Sequence, residues 1–410
     1  MTSEKARLPL DGIRVLDFTW VAAGPFTTLM LANMGAEVIK VESARRLDLS
    51  RGRPPFPPGK SGINASAAWI FGNVDKLSIT LNMAQPKGRQ IARRLVAISD
   101  IVMDNMTGGV MERWGMNYEE LVRIKPDIIA VSMPVMGTTG PRRDYGGYGM
   151  GIEGISGIKA ISGPPDQIPL GTGIAFPDAG PNPRHAVVGL LAALHYRNKT
   201  GKGQYVEVAQ YESTAAFSGT AILEYTTNKR LQPRLGNRLP YAAPHGAYRC
   251  KGDDRWCVIA IFSDEEWEAF CHVIGDPPWS KEERFATILG RKKNEDELDR
   301  LVEEWTMERE AEEVMMSLQQ AGVAAGIIQS GQNLLEHDPH LKARKAFVEV
   351  DNPEAGVITC HAPAFRLSSV PERTPRYAPL FGEHNQYVFQ ELLGMSEEEM
   401  DQLIVKEVIY

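Results

Sequence analysis

One isolated carboxylate marks the segment GIAFPDAGPNPRHAVVGLLAAL. Asp178 follows Pro177 there, and no other acidic side chain lies within ten positions of it. The residues that come next predict an apolar helix, with Asn182 as its N-cap and Pro183 in the first helical position. The positive end of that helix would favour the ionised carboxylate that a nucleophilic aspartate needs at neutral pH. These residues alone are consistent with a solvated loop residue, an Asx turn at the helix start, or a nucleophile.

Basic side chains near the ends of predicted strands suggest a second feature. Lys40, Lys76 and Arg113 lie within or close to predicted strands. Ligands of open α/β sheets bind at strand ends, so the three side chains together would form a phosphate site. Taken singly, each is typical of a solvated surface charge. The sequence leaves both interpretations open.

Other kinds of catalytic site lack their motifs. The loop TWVAAGPF after the first predicted strand has no G-x-G-x-x-G, which leaves Glu42, at the end of the next strand, as weak evidence for a bound dinucleotide. Neither G-x-S-x-G nor H-E-x-x-H occurs, and the four cysteines lack the spacing of zinc ligands. We therefore expect no metal site, and we interpret His185 as a core or helix-surface residue.

Alternating strand and helix patterns position these residues. Five segments have the pattern of strands and are separated by helical patterns: GIRVLDFT, EVIKVE, LSITLNM, DIVMDN and DIIAVSMPV. This alternation predicts a mostly parallel sheet with helices on both faces. Residues 137–182 are rich in glycine and proline, and so long an irregular stretch is typically functional. A second region of α+β character begins near Ser213. From about Lys342 the chain returns to short strands and turns.

The composition excludes several classes of protein. The 410 residues are 43% hydrophobic and 24% charged, as in an ordinary soluble protein, and the net charge of −7 argues against nucleic-acid binding. The few scattered cysteines predict reduced thiols. No signal-peptide pattern and no run of 18 apolar residues occurs, so we expect a cytoplasmic protein without a membrane span.

Seven ordered blocks, from Leu10 to about His384, resemble the family III CoA-transferases, the group that includes formyl-CoA transferase and the carnitine CoA-transferases. The blocks are LDGIRVLDFT followed by AGP, LANMGAEVIKVE, NVDKLSITLN, DIVMDN followed by GGVMERWG, LLAALHYRNKTGKGQYVEVAQYE, APHGAYRCKGDDRW and FGEH. Because the blocks occur in the family's order over almost the whole chain, they are more specific than any single motif above.

The resemblance implies a particular architecture. The family has a Rossmann-like large domain built from both chain ends, which would be residues 1–212 and 342–410 here. A smaller α+β domain would occupy residues 213–341. Two ring-shaped subunits interlock in the family's dimer, and the same assembly is expected for this chain.

The resemblance also implies the site. The family's nucleophile is an aspartate in the loop before the LLAAL helix, where Asp178 is the only acid. The positions that resemble the family's contacts to CoA are Val21, Lys76, Asn105 and Arg113. CoA thioesters would be substrates, with no permanently bound cofactor. Ala22 stands where formyl-CoA transferase has a glutamine, so an oxalate-like acceptor is not implied.

Two alternatives and one finer assignment accompany this resemblance. The α-methylacyl-CoA racemases share the fold, but their histidine-aspartate pair is replaced by Tyr148 and Gly149. Some family members are heteromers with one inactive subunit; because Asp178 is present, this chain would be the active one. The segments around FPDAGPN and LHYRNKTGKGQY resemble the branch that acts on larger acids, including the arylsuccinate CoA-transferases, with succinyl-CoA as the expected donor.

Overall fold

Six parallel strands form the central sheet in the order β3-β2-β1-β4-β5-β6. The structure is a computed structural model that describes residues 7–370 and 372–410. The strands are β1 Arg14–Asp17, β2 Glu37–Glu42, β3 Leu77–Thr80, β4 Ile101–Asp104, β5 Ile129–Ser132 and β6 Tyr205–Glu207. Their parallel pairing confirms the predicted α/β fold.

Helices follow most of these strands along the chain. They are α1 Ala23–Asn33, α2 Ala67–Asn73, α3 Pro86–Ala97, α4 Val110–Trp114, α5 Tyr118–Ile124, α6 Gly149–Ile155, α7 Ile158–Ile161, α8 Phe176–Ala179, α9 Pro181–Thr200, α10 Gln210–Ala215 and α11 Gly219–Asn228. The stretch 137–182, which the sequence presents as irregular, thus contains three short helices.

The described residues fall into two compact units. The first comprises those of 1–158, 171–230 and 341–410, and the second comprises 159–170 and 231–340. The second unit has an antiparallel sheet, β7 His245–Arg249, β8 Trp256–Ala260 and β9 Ala324–Ile327, with α12 Asp264–Val273, α13 Ile288–Lys293, α14 Glu295–Thr306 and α15 Ala311–Gln320. The remaining α-helices and strands are α16 Pro339–Ala343, the hairpin β10 Phe347–Asn352 and β11 Gly356–His361, and α17 Glu397–Val405.

Both faces of the six-stranded sheet are covered by helices. Val15 of β1 packs in the cluster that includes apolar residues of α1 and α9, whereas its neighbour Leu16 packs with α3, α5 and α17. Because successive side chains of a strand point to opposite faces, the sequence of a strand that is buried on both faces is a continuous apolar run. The C-terminal helix α17 therefore completes a core that begins at the other end of the chain.

The strand order places a crevice between β1 and β4. β1 pairs with β2 on one side and with β4 on the other, so the loops after β1 and β4 leave the same edge of the sheet in opposite directions. In open α/β sheets, ligands bind at the carboxyl ends of the strands where the order reverses in this way. Val21 and Asn105 lie on these two loops.

At the end of β2, both carboxylate oxygens of Glu42 accept hydrogen bonds from another side chain. Arg51 donates to its two carboxylate oxygens at 2.8 and 2.7 Å, and both residues are buried. The Arg51 guanidinium lies 3.5 Å from the ring centroid of Trp69. Because both oxygens bind this guanidinium, Glu42 is a structural residue here, in agreement with the absence of a dinucleotide motif.

Glu42→Gln is expected to destabilise the fold. The change leaves the buried Arg51 charge without its counterion, and removing one partner of a buried pair costs about 3–5 kcal/mol. Thermal unfolding should show a melting temperature several degrees below that of the unchanged protein. Glu349→Gln, at an exposed position of β10, is the matched control and should melt like the parent. Equal melting temperatures for the two variants would contradict this role of Glu42.

Candidate active site

Asp178 lies in the short helix α8, and its side chain is turned into the protein. The residue is only 8% exposed, and the backbone N–H of Gly149 donates to its Oδ2 at 3.2 Å. The other oxygen, Oδ1, has no hydrogen-bond partner among the described residues. A solvated loop residue and an Asx turn are both excluded by this geometry. What remains is a buried carboxylate with one oxygen available.

The helix after Asp178 begins earlier than the sequence predicts. α9 starts at Pro181 with Gly180 as its N-cap, so the prediction that Asn182 is the N-cap was wrong. Asn182 is fully buried and contacts α10: its amide donates to Gln210, and its carbonyl oxygen accepts hydrogen bonds from Ser213 and Thr214. These distant partners replace the local capping bond that this side chain would otherwise make.

The ionisation of Asp178 also differs from the prediction. Burial raises its pKa to about 6, the Gly149 hydrogen bond opposes the rise, and the nearby Glu153 carboxylate adds to it. The expected effect of the helix end, which would lower the pKa, is therefore outweighed by desolvation. A pKa of about 6 leaves the carboxylate largely ionised at neutral pH, as a nucleophilic carboxylate must be.

A glycine is required at position 149 by the Asp178 carboxylate. A Cβ atom on Gly149 would lie 2.7 Å from Oδ2 and 2.8 Å from Cγ of Asp178, closer than non-bonded atoms approach. The aspartate that the racemases carry at this position therefore cannot be accommodated unless Asp178 moves. The close approach is what allows the Gly149 N–H to reach the carboxylate.

The loop after β1 is held in a strained conformation by two side chains from other loops. Val21 has a φ of 68°, and its N–H points at Asp48, 3.2 Å from each carboxylate oxygen. Asn105 accepts the N–H of Trp20 at 2.7 Å and donates to its carbonyl oxygen at 2.8 Å. The structure thus brings Val21 and Asn105 together, at the crevice between β1 and β4.

Lys76 lies beneath this loop and is buried. Its ammonium donates to the Pro25 carbonyl oxygen and to Asn73, each at 2.9 Å, and lies 3.7 Å from Asp17. Burial lowers the pKa of Lys76 to about 7, although the Asp17 carboxylate opposes that shift. The side chain therefore faces protein groups rather than the surface in this structure. Its part in binding CoA stays a prediction.

Lys40 is also buried and does not join Arg113 in a surface cluster. The Lys40 ammonium lies 3.3 Å from Asp48 and donates to the Thr19 carbonyl oxygen. Arg113, in α4, is exposed and forms no ion pair with any described residue. Of the three cations considered for a phosphate site, Arg113 is thus the one without an ion pair among the described residues, and it lies on the helix that follows the Asn105 loop.

A cavity of about 200 Å³ lies next to that loop, and its character is acidic. Asp104, at the end of β4, and Glu112 line it together with Ser132 and Tyr205. Burial raises the pKa of Asp104 to about 7, and a hydrogen bond from the Met106 N–H opposes the rise. Glu119 also lines the cavity, and its acidic side chains disfavour a bound anion, so this cavity is not suited to the phosphates of a nucleotide.

Two residues of the site were missed from the sequence. Gly149 and Glu153 both lie in the glycine-rich stretch GGYGMGIEGISG, and their spacing of one helical turn was the available signal. No group of three or more His, Cys, Asp or Glu side chains in residues 7–370 and 372–410 is arranged to hold a metal ion. None of the helices in those ranges has the length and apolar character to cross a bilayer.

Known proteins similar to this chain include several CoA-transferases. The chain is 35% identical over 411 residues to the succinyl-CoA–D-citramalate CoA-transferase of Chloroflexus aurantiacus, with 100% of each chain covered. It is 31% identical to the succinate–glutarate CoA-transferase of Agrobacterium fabrum, over 94% of this chain and 96% of that protein. A crystal structure of a CaiB/BaiF family protein from Brucella suis superposes with a TM-score of 0.86 at 31% identity, covering 94% of this chain and 100% of that one.

The family assignment rests on the extent of the match. The sequence model of CoA-transferase family III matches residues 10–385, which include every candidate site residue named above. The chain belongs to CoA-transferase family III and is an enzyme of the transferase class.

Proposed function

We propose that this enzyme transfers CoA from succinyl-CoA to a dicarboxylic acid, with Asp178 as the covalent nucleophile. The observation that carries the proposal is the buried Asp178 carboxylate, which has one oxygen bound by the Gly149 N–H and the other without a partner in residues 7–370 and 372–410. A desolvated carboxylate whose pKa remains below 7 combines basicity with ionisation at neutral pH. The names of the relatives from Chloroflexus and Agrobacterium support succinyl-CoA or succinate as one substrate.

The proposed reaction proceeds by two exchanges at Asp178. Oδ1 attacks the thioester carbonyl, the C–O bond forms, and the C–S bond breaks with its electron pair on the CoA sulfur. The thiolate then attacks the aspartyl carbonyl of the mixed anhydride and expels the donor acid, leaving an aspartyl-CoA thioester. The acceptor carboxylate repeats these steps in reverse order. Each intermediate keeps the acyl group activated, so no ATP is consumed.

Val21, Asn105 and Arg113 are proposed to bind CoA at the crevice between β1 and β4. The Arg113 guanidinium is free to pair with a phosphate, and guanidinium groups match phosphate geometry well. Lys76 is proposed to contribute by holding the loop through the Pro25 carbonyl oxygen. CoA is a substrate in this proposal, and no permanently bound cofactor is needed for its steps.

The acceptor is proposed to be a dicarboxylic acid, of which an aryl-substituted succinate is a larger example. D-Citramalate and glutarate, which appear in the relatives' names, are both dicarboxylic acids. The enzyme is further proposed to act as an interlocked homodimer, or as the active subunit of a heteromer, in the cytoplasm. Racemisation is the less supported alternative, because Tyr148 and Gly149 supply no general base of the racemase kind.

Asp178→Asn should abolish exchange while leaving the fold intact. The amide has nearly the shape of the carboxylate but is not a nucleophile, so the rate should fall by about 1,000-fold or more. In the unchanged enzyme, incubation with succinyl-CoA followed by hydroxylamine should place a hydroxamate on Asp178, detectable by peptide mass spectrometry. Rapid turnover by the Asn variant would contradict the proposed mechanism.

Gly149→Ala should reduce the rate of exchange by about 100-fold. The added methyl group would push the Asp178 carboxylate aside, and moving a reacting group by about 1 Å has an effect of this size. Gly151→Ala is the matched control on the same helix, where an added Cβ meets nothing within 4 Å. Steady-state rates with succinyl-CoA would be compared for the two variants. Similar rates would show that the Gly149–Asp178 contact is not needed.

Arg113→Ala should raise the KM for the acyl-CoA about tenfold with little change in kcat, since one hydrogen bond to a charged group contributes roughly 1.5 kcal/mol. Arg123→Ala, at an exposed position on α5, is the control for the loss of a surface charge and should leave KM unchanged. Unaltered KM values in both variants would remove Arg113 from the CoA site.

A further inference from the structure

Glu153 is a buried carboxylate close to Asp178, and none of the proposed reaction steps involves it. It lies on α6 one turn after Gly149, is 1% exposed, and forms no ion pair with a described residue. A buried carboxylate without a counterion is costly, since a hydrogen bond offsets only part of its desolvation. Such a residue is typical of a functional arrangement.

A hydrogen bond connects Glu153 to the segment that carries the nucleophile. The Thr172 hydroxyl donates to Glu153 at 2.5 Å and also lies 3.1 Å from the Ile174 carbonyl oxygen. The chain then enters α8, which packs against α6. Consecutive turns of α6 therefore hold Asp178 twice, directly through the Gly149 N–H and indirectly through Glu153 and Thr172.

The charged groups around α8 come from few elements. α6 contributes Glu153, and α1 has no titratable side chain. On α9, the Arg184 guanidinium donates to the carbonyl oxygens of Ala179 and Gly180, and the His185 ring contacts the Pro181 carbonyl oxygen. Those two side chains are thus directed to backbone oxygens. Burial is the main cause of the raised pKa of Asp178, and Glu153, one turn of α6 after the Gly149 N–H that binds Asp178, adds to that rise.

We infer that Glu153 is a positioning residue whose negative charge destabilises the free Asp178 carboxylate and thereby favours acylation. The inference rests on the proposed function. When Oδ1 attacks the thioester, the negative charge leaves Asp178 and ends on the CoA sulfur, while the aspartyl group becomes a neutral anhydride. Repulsion between two carboxylates in a desolvated setting is relieved by this step. Glu153 thus acts on the free enzyme more than on its acylated forms.

The decisive variant is Glu153→Gln, which removes the charge but keeps an oxygen to accept the Thr172 hydrogen bond. In protein labelled with ¹³C at aspartate carboxyl carbons, the Asp178 signal is assigned from its loss in Asp178→Asn and followed against pH without substrate. Loss of a like charge stabilises the ionised form, so the midpoint should fall from near pH 6 by about half a pH unit or more. Glu349→Gln should not shift it.

Kinetics supply a second measurement on the same variant. The acid limb of the exchange rate should move to lower pH with the midpoint, since protonated Asp178 cannot attack. At pH 8, where Asp178 is ionised in both proteins, the rate of hydroxamate formation should be about 3- to 10-fold lower in Glu153→Gln. A midpoint and an acid limb that both coincide with those of the unchanged enzyme would overturn the inference.

Two further variants separate charge from anchoring. Thr172→Val removes the hydrogen bond but keeps the charge, and Glu153→Asp keeps the charge on a shorter side chain; both should titrate near the parent midpoint. If either reproduces the low midpoint of Glu153→Gln, the charge is not the cause. The unchanged protein would also be tested for exchange with a panel of acyl-CoA esters. If it shows no exchange while Glu153→Gln lowers the midpoint, the proposed function is rejected but the effect of Glu153 on the pKa of Asp178 is retained.

Discussion

Two buried ion pairs beneath the loop after β1 determine the shape of the candidate CoA site. Asp17 faces Lys76, and Asp48 faces Lys40, with all four side chains buried. Four ionisable side chains removed from water are tolerated only when each has a partner and further hydrogen bonds. Burial favours the neutral form of Asp48, but the Lys40 ammonium and hydrogen bonds from Ser50 and the Val21 N–H hold its pKa below the usual value.

The loop follows from this charge network. Val21 adopts a left-handed φ, which persists for a branched residue only when the surroundings over-determine it. Asp48 binds its N–H, Asn105 binds both backbone groups of Trp20, and the lysines bind the carbonyl oxygens of Thr19 and Pro25. The loop is thus fixed before any substrate arrives, and the entropy of ordering it is not taken from the binding free energy.

Opposing effects act on the carboxylate of Asp178, the proposed nucleophile. Burial and Glu153 make the charged form of Asp178 less favourable, while the Gly149 N–H favours it. The outcome is a side chain that is more basic than an exposed aspartate and yet mostly ionised at pH 7. All the groups involved come from α6 and α8, which are separated in sequence by the irregular chain between them. Placing them in contact requires the rest of the first unit.

The local pattern of the sequence was sufficient to predict the sheet, and it marked Asp178 as a candidate residue. The alternation of strands and helices follows from short-range hydrophobic periodicity, so the parallel α/β fold was predicted correctly. Asp178 was singled out because it is the only acidic residue in its loop. Short-range patterns also led to one error, the N-cap at Asn182, and they did not show that Lys40 is buried. In both cases the side chain found partners far away in the chain, in α10 for Asn182 and in Asp48 for Lys40.

What only the tertiary structure decided was the ionisation and contacts of the site. A pKa depends on how much water is removed from a group and on which charges remain near it, and neither quantity is local in sequence. Gly149 and Glu153 acquire their importance solely because α6 packs against α8. The sequence by itself therefore determined which residue carries the carboxylate and in which type of fold it lies. Packing determined that this carboxylate is buried, bound through one oxygen, and opposed by a second buried charge.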